Sequence, residues 1–442
     1  MAIEFQILDF LHPVGLFQTH NSLDRSQWYD PQELRDQQDQ RLRVVIEHAA
    51  THVPFYQSLF ARLKLNYRDI QGVKDLKVLP VLDKETVRAN FKQLTADNAA
   101  RFAPRLCRTT GTSGIPVEFL HDRLSNTLEF CYYWRYWSWA GYRLGMPFAE
   151  FTLHHFLNRD LKIRSEHAPL MNRLMLNPAL LSLDQVWGFV ADLKKHRSRF
   201  LKGSPSCLFA FAGLMAMKGF AYDGLTAVFT TGELLLPAQR RQIEKVFGCR
   251  VLDSYGHMER TVAICQCPYG RYHVNSDYGV LEIEKDEHHS STATLSGTIV
   301  GTSLYSMAMP LIRYQVNDLV EMRTDGQRCE CGRGLPICEK ILGRSQETIT
   351  TPDGRMLTNV FILLDVLEGA LWAQIVQETT RHVVVRIVPG EGYSKASEDS
   401  FVQQLRRILG KDMTTTIEYL LSEDLTLLLK RKFNPVVVRS KD

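Results

Sequence analysis

The sequence lacks any apolar run long enough to cross a bilayer. Its longest, Cys207 to Met217, stops at Lys218 well short of the roughly 20 residues required, and is expected to be a buried helix in a protein without membrane contact. It also lacks a surplus of either charge. Lys plus Arg number 53 against 49 Asp plus Glu, and a net charge of +4 diluted over 442 residues argues against nucleic acid or an anionic membrane as partner. The opening segment MAIEFQILDFLHPVGLF has no basic start and carries Glu4 and Asp9, so a signal peptide is not expected and a cytoplasmic protein is. No internal repeat, low-complexity tract or long linker interrupts the chain. With 45% hydrophobic and 23% charged residues, disorder and coiled coil are excluded, and the length predicts two or three domains. The nine cysteines are an odd number without an export signal, which predicts reduced thiols.

What is present has a readable order. The early segment LRDQQDQRLRVVIEHAATHVPFYQSLFARL spaces apolar residues by three and four, and Asp30-Pro31 before it is an N-cap and first-turn signal. Between Leu106 and Glu284, short apolar segments such as TAVFTTGE and CRVLDSYG flank the charged helical PAQRRQIEKVF, a βαβ pattern and hence an α/β layer architecture. From Val280 the segments GVLEIE, TIVGTSL and DLVEMR predict strands. Near Gly343-Arg344 the chain restarts with the hairpin ETITTPDGRMLT, then strands HVVVRIV and TIEYLL about the helix SEDSFVQQLRRIL, which make a small α+β domain.

Arg108 to Pro116 reads RTTGTSGIP, a loop able to turn backbone N–H groups and hydroxyls toward an anion. It is not a Walker loop, since Ile115 stands where a lysine would be. Alone, it reads more readily as an ordinary Ser/Thr/Gly turn. The segments TTGE at 230–233, DSYGHMER at 253–260, IRYQVNDLV at 312–320, ILGRSQE at 341–347 and RKFNPVVV at 431–438 follow it in order. In this series the chain resembles the adenylate-forming enzymes, and within them the phenylacetate-CoA ligase and CapK-like branch, over most of its length.

The resemblance implies a large multi-layer N-terminal adenylation domain over 1–342 and a small mobile α+β domain over 343–442. It implies that ATP and Mg²⁺ activate a carboxylic acid, aromatic acids being favoured, as an acyl-adenylate. A thiol of coenzyme A, or of a carrier protein, then captures the acyl group. Thr109, Thr110, Gly111, Thr112, Ser113 and Gly114 would wrap the β- and γ-phosphates, where leaving-group charge accumulates. Glu259 would hold Mg²⁺, although alone it reads as a surface residue. Gly232, Glu233, Asp253, Ser254, Tyr255 and Gly256 correspond to the adenine pocket, and Asp318 to the carboxylate that binds both ribose hydroxyls. The usual Arg-Thr-Gly-Asp is here Gln315-Val316-Asn317-Asp318, with Arg313 further upstream. Arg344 matches the hinge-adjacent arginine, and Lys432 the lysine that neutralises charge between carboxylate and α-phosphate, with Arg431 replacing a glycine and Lys430 as a fallback.

The cysteines cluster. Cys267, His273, Cys329 and Cys331 supply three thiolates and one imidazole, the ligand set of a structural zinc site, with Cys265 or Cys338 as substitutes and free reduced thiols as the alternative. The aromatic stretch FCYYWRYWSWAGY at helical spacing predicts one face of Tyr133, Trp134 and Trp137, either core or a wall of the acyl pocket. His154, His155 and His257 either pack or lie near a substrate carboxylate. The competing readings are an amine or hydroxyl acceptor, and a non-catalytic nucleotide-binding relative. Oligomeric state stays open, a homodimer being one option.

Overall fold

The computed structural model describes residues 13–109, 116–157, 159–285, 293–344, 349–357, 360–430 and 433–439. The chain forms two compact units. One runs to Trp139 and resumes over Ser254–Leu342; the other comprises Ala140–Asp253 and Gly343–Asp442.

In the first unit the helix Pro31–His52 starts where the sequence predicts. The Asp30 carboxylate accepts from the N–H groups of Gln32 and Glu33, and Glu33 returns the bond to the Asp30 N–H. Its three-and-four spacing buries Leu34, Leu42, Val45, Ile46 and Ala49. The helix Arg123–Ser138 departs from expectation: instead of one aromatic face, every residue from Leu128 to Trp137 is buried. A helix buried all round must pair its polar groups internally. Arg135 accordingly donates to Leu23 O, Asn275 and Asp277, and the Tyr132 hydroxyl lies 2.9 Å from Cys265 Sγ. Antiparallel strands Gly279–Lys285, Thr294–Ser303 and Tyr314–Arg323 pair in succession, as do Ala263–Gln266, Tyr272–Val274 and Ile337–Arg344.

In the second unit, strands Arg173–Leu176, Phe148–Phe151, Phe200–Gly203 and Ala227–Thr231 run parallel in that order. Strands Phe148–Phe151 and Phe200–Gly203 are buried at every position, as strands covered on both faces must be. The helix Pro205–Met217 is the buried apolar run, and Pro237–Phe247 matches PAQRRQIEKVF residue for residue. Residues 343–442 add a four-stranded sheet of Thr414–Tyr419, His382–Pro389, Ala370–Thr379 and Val436–Val438, with helix Lys395–Leu409. Leu371, Trp372, Val388, Leu425 and Leu429 from this part share one core with Phe211, Leu214 and Val228. The α/β class and the small α+β sheet are as expected. No helix among the described residues is long and apolar enough to cross a membrane.

Candidate active site

Thr109 is locked to Val117: its N–H donates to Val117 O at 3.0 Å, and its hydroxyl accepts from the Val117 N–H at 3.0 Å. Thr110, Gly111, Thr112, Ser113, Gly114, Arg431 and Lys432 lie outside the described residues. Arg344 ends the strand Ile337–Arg344, just after Gly343, whose φ of 85° is a conformation glycine adopts without strain.

Tyr255 and Asp318 come together in the first unit, the phenol donating to Asp318 Oδ2 at 2.7 Å. Asp318 sits in a break of the ladder. Thr298 opposes Leu319 and Val300 opposes Gln315, so residues 316–318 face Ile299 alone. Asn317 within this bulge has φ 65°, a left-handed geometry that asparagine tolerates. The altered Gln-Val-Asn-Asp spelling therefore makes a bulge that keeps the aspartate at Tyr255. Arg313 is committed elsewhere, its guanidinium bonding Glu282 at 3.1 Å and Leu79 O.

Glu259 is no surface residue. It is buried, with Oε1 accepting from the Tyr314 hydroxyl at 2.8 Å and Oε2 bonded to His257 Nδ1 at 3.1 Å. The Val262 N–H donates to His257 Nε2 at 3.2 Å, which assigns the ring proton to Nδ1 and makes His257 a donor to Glu259. Burial pulls the Glu259 pKa up, but the bonds from His257 and Tyr314 outweigh it and hold the carboxyl at about 2. Each oxygen accepts one hydrogen bond and keeps a further lone pair, which suits a hard cation that also takes phosphate oxygens. Tyr314 was not singled out by sequence; its signal was the two-residue alternation that puts it on the same strand face as Val316, both being buried. Of the other histidines, His154 is exposed and His155 pairs with Glu166 at 3.1 Å.

In the second unit Gly232 has φ 87°, a left-handed turn that orients Glu233. The Glu233 carboxylate accepts from the N–H groups of Ser206 at 3.1 Å and Phe433 at 2.9 Å. Asp253 is buried and accepts from the Thr230 hydroxyl at 2.5 Å. Chain order then carries the strand Arg250–Gly256 from Asp253 in this unit to Ser254, Tyr255 and Gly256 in the first. Ser254 is buried and pairs in register with Cys265.

The Cys267, His273, Cys329 and Cys331 ligand atoms all lie within 4.8 Å of one another. Cys267 and Cys329 sulfurs are 3.7 Å apart, and Cys331 Sγ is 3.4 Å from His273 Nε2. Tetrahedral Zn–S bonds of about 2.3 Å would put sulfurs about 3.8 Å apart, so the donors fit such an ion. His273 Nδ1 bonds Leu335 O at 3.1 Å, which fixes the tautomer and leaves Nε2 as donor atom. The shared thiol contacts and His273 hold the Cys331 thiol low, while its neighbour raises Cys267. Cys265 meets Tyr132, and Cys338 Sγ bonds Lys340 O, so neither joins the cluster.

No protein-family model matches the sequence. The chain is 21% identical over 384 residues to Protein CapK of Staphylococcus aureus, covering 85% of this chain and 82% of that protein. It is 29% identical over 344 residues to the phenylacetate-coenzyme A ligase of Escherichia coli K12, covering 75% and 76%. Its fold is that of a 2-hydroxyisobutyryl-CoA ligase solved in the postadenylation state with an acyl-AMP, at a TM-score of 0.69, 18% identity, and 90% and 88% coverage.

Proposed function

We propose that this chain, a relative of CapK and the phenylacetate-CoA ligases with the fold of an adenylate-forming ligase, activates a carboxylic acid with ATP and passes the acyl group to coenzyme A. In the first half-reaction a carboxylate oxygen bonds to the α-phosphorus and the bond to the leaving pyrophosphate breaks. In the second, the thiol sulfur bonds to the acyl carbon, AMP leaves with the bonding electrons, and the thiol proton passes to solvent. The observation that carries this reading is the hydrogen bond between Tyr255 and Asp318. It holds an aromatic plane, suited to adenine, beside a carboxylate suited to the two ribose hydroxyls.

Glu259, ionised and fixed by Tyr314 and His257, would hold the Mg²⁺ that accompanies ATP and screens phosphate charge. Thr109 and the loop 110–114 would donate to phosphate oxygens, Gly232, Glu233, Asp253, Ser254 and Gly256 would frame the adenine, and Arg344 and Lys432 would meet developing negative charge. A zinc ion on Cys267, His273, Cys329 and Cys331 would be structural, since four protein donors leave no open position. The domain division at 342/343, a preference for aromatic acids and a cytoplasmic location belong to the same reading.

ATP–pyrophosphate exchange across phenylacetate, 2-hydroxyisobutyrate, fatty and amino acids tests it. Exchange with at least one acid, followed by thioester formation with coenzyme A, is the expected outcome. Exchange without thioester formation would move the acceptor to an amine, hydroxyl or carrier thiol. ATP binding without any exchange would make the chain a non-catalytic relative.

A further inference from the structure

His121 ends the strand Glu118–His121 and immediately precedes Asp122, the cap of helix Arg123–Ser138. Alternation along the strand turns Phe119 and His121 to its buried side. His121 is 4% exposed, and its ring lies within 8° of parallel to that of Phe119. Neither ring nitrogen has a hydrogen-bond partner among the described residues, although the Met258 backbone is near enough to raise the ring's pKa. By contrast, His257 and His273 in the same unit use both ring nitrogens.

A neutral imidazole has one N–H to donate and one lone pair to fill, and leaving either unmet in the interior forfeits the hydrogen bond that water would have supplied. Native proteins rarely leave such a group unserved, and an ordered water, an ion or a bound reactant is what usually meets it. The surroundings of His121 are those of the candidate active site. Burial and the Arg260 charge drive its pKa down to about 3, against the opposing pull of Met258 and Glu259, so the ring is neutral at working pH. Arg260 is committed to helix Arg123–Ser138, donating to Asn126 at 2.7 Å and lying 3.8 Å from Glu129. The Asp122 carboxylate accepts from the N–H groups of Ser125, Met307 and Ala308, which fixes the backbone that carries the His121 ring.

The geometry points to His121 as a ligand-binding residue of the acid-activating site, its ring N–H donating to an anionic oxygen of a bound reactant. That oxygen belongs to a nucleotide phosphate or to the carboxylate of the acid. The inference rests on the function proposed above. An uncharged donor suits this place, because it binds an anion without adding a second cation beside Arg260, which a buried site could hold only at a desolvation cost.

The test compares the wild type with His121→Phe, which keeps a ring beside Phe119 but no polar atom, and His121→Asn, which keeps a donor. Three quantities are read: melting temperature without ligand, ATP affinity with Mg²⁺ by calorimetry, and KM for whichever of phenylacetate, 2-hydroxyisobutyrate or acetate supports wild-type pyrophosphate exchange. The phenylalanine variant should melt at or above wild type, since it removes unmet polar groups. It should lose about tenfold or more in one affinity, the order of a hydrogen bond to a charged group. Weakened ATP binding assigns the phosphate, and raised acid KM with ATP binding intact assigns the carboxylate; asparagine should recover part of either loss. Unchanged affinities overturn the inference, as does a loss that accompanies a fall in melting temperature and is not recovered by asparagine. A wild type that neither binds ATP nor exchanges pyrophosphate takes down the proposed function and this inference together. An active wild type with insensitive variants takes down the inference alone.

Discussion

Glu233 accepts a hydrogen bond from the backbone N–H of Phe433 at 2.9 Å, so a side chain expected at an adenine pocket holds the chain one residue past Lys432. Its other oxygen accepts from Ser206 N–H in the first turn of helix Pro205–Met217, where a carboxylate also meets the positive end of the helix dipole. The Phe433 ring packs 5.7 Å from that of Trp372. Glu233→Ala should therefore cost about 1–3 kcal/mol in urea unfolding, and Glu233→Gln less, because the amide oxygen can replace only one acceptor. Pyrophosphate exchange should fall in both. Wild-type stability in the alanine variant would mean the two bonds contribute nothing net.

Glu398 supplies a pH dependence. It is buried in helix Lys395–Leu409, accepting from the Tyr393 hydroxyl at 2.6 Å and from Lys395 and Tyr419. Burial raises its pKa, but these three partners outweigh that and set it below the ordinary carboxylate value. A carboxyl depressed on folding stabilises above its unfolded pKa of about 4.3, and that contribution is lost as pH falls through the folded value. Melting temperature should thus drop more steeply below about pH 4.5 in the wild type than in Glu398→Gln. Parallel curves would remove Glu398 from the acid response.

Much of this was legible in the sequence, and the failures have physical reasons. The Asp30 cap and the helix Pro237–Phe247 follow from local spacing, whereas the cysteine cluster, readable from its residue types, is closed by pairing of strands about sixty positions apart. The all-round burial of helix Arg123–Ser138 depends on partners such as Asp277, 142 positions from Arg135, which no periodicity reveals. Glu259 read alone looks like a surface residue because the groups that make its burial tolerable, Tyr314 and His257, are fixed by strand pairing and a turn. The bulge at Asn317 is similarly a property of two strands, not one.

The cysteine and histidine cluster leads to a prediction on metal. The purified chain should carry one zinc, and Cys331→Ser should lose it together with several degrees of melting temperature, because binding a structural ion contributes directly to folding. Elemental analysis and thermal unfolding read both. A metal-free preparation with unchanged melting temperature and activity would contradict a structural zinc.

Lys432 should act on charge that develops in the first transition state. Lys432→Ala should lose roughly 2–4 kcal/mol in the adenylation step, as removal of an oxyanion donor does, with ATP affinity changed much less. Single-turnover pyrophosphate release and ATP calorimetry separate the two. Full adenylation in the variant would transfer the role, with Lys430, exposed two residues earlier, the next to substitute.

Domain alternation ties these residues together. Adenylation would bring Lys432 to the α-phosphate, whereas thioester formation needs that space open to a thiol, and one static arrangement cannot serve both. A rotation of residues 343–442 about the 343–347 segment would answer the conflict, a few backbone dihedrals absorbing the change. Gly343, at φ 85°, already occupies a conformation that other residues avoid. A rotation that separates Phe433 from Glu233 would break the hydrogen bond between them. Ser345 lies outside the described residues; Ser345→Pro would fix φ near −65° there and restrict Arg344 before it, so it should favour one arrangement and separate the half-reactions. Pyrophosphate exchange should persist while thioester formation falls. Adding Glu233→Gln to Ser345→Pro should not restore the second step, because the block then lies in the backbone and not in the bond. Equal loss of both half-reactions in a folded Ser345→Pro protein, or no loss of either, would rule alternation out at this segment.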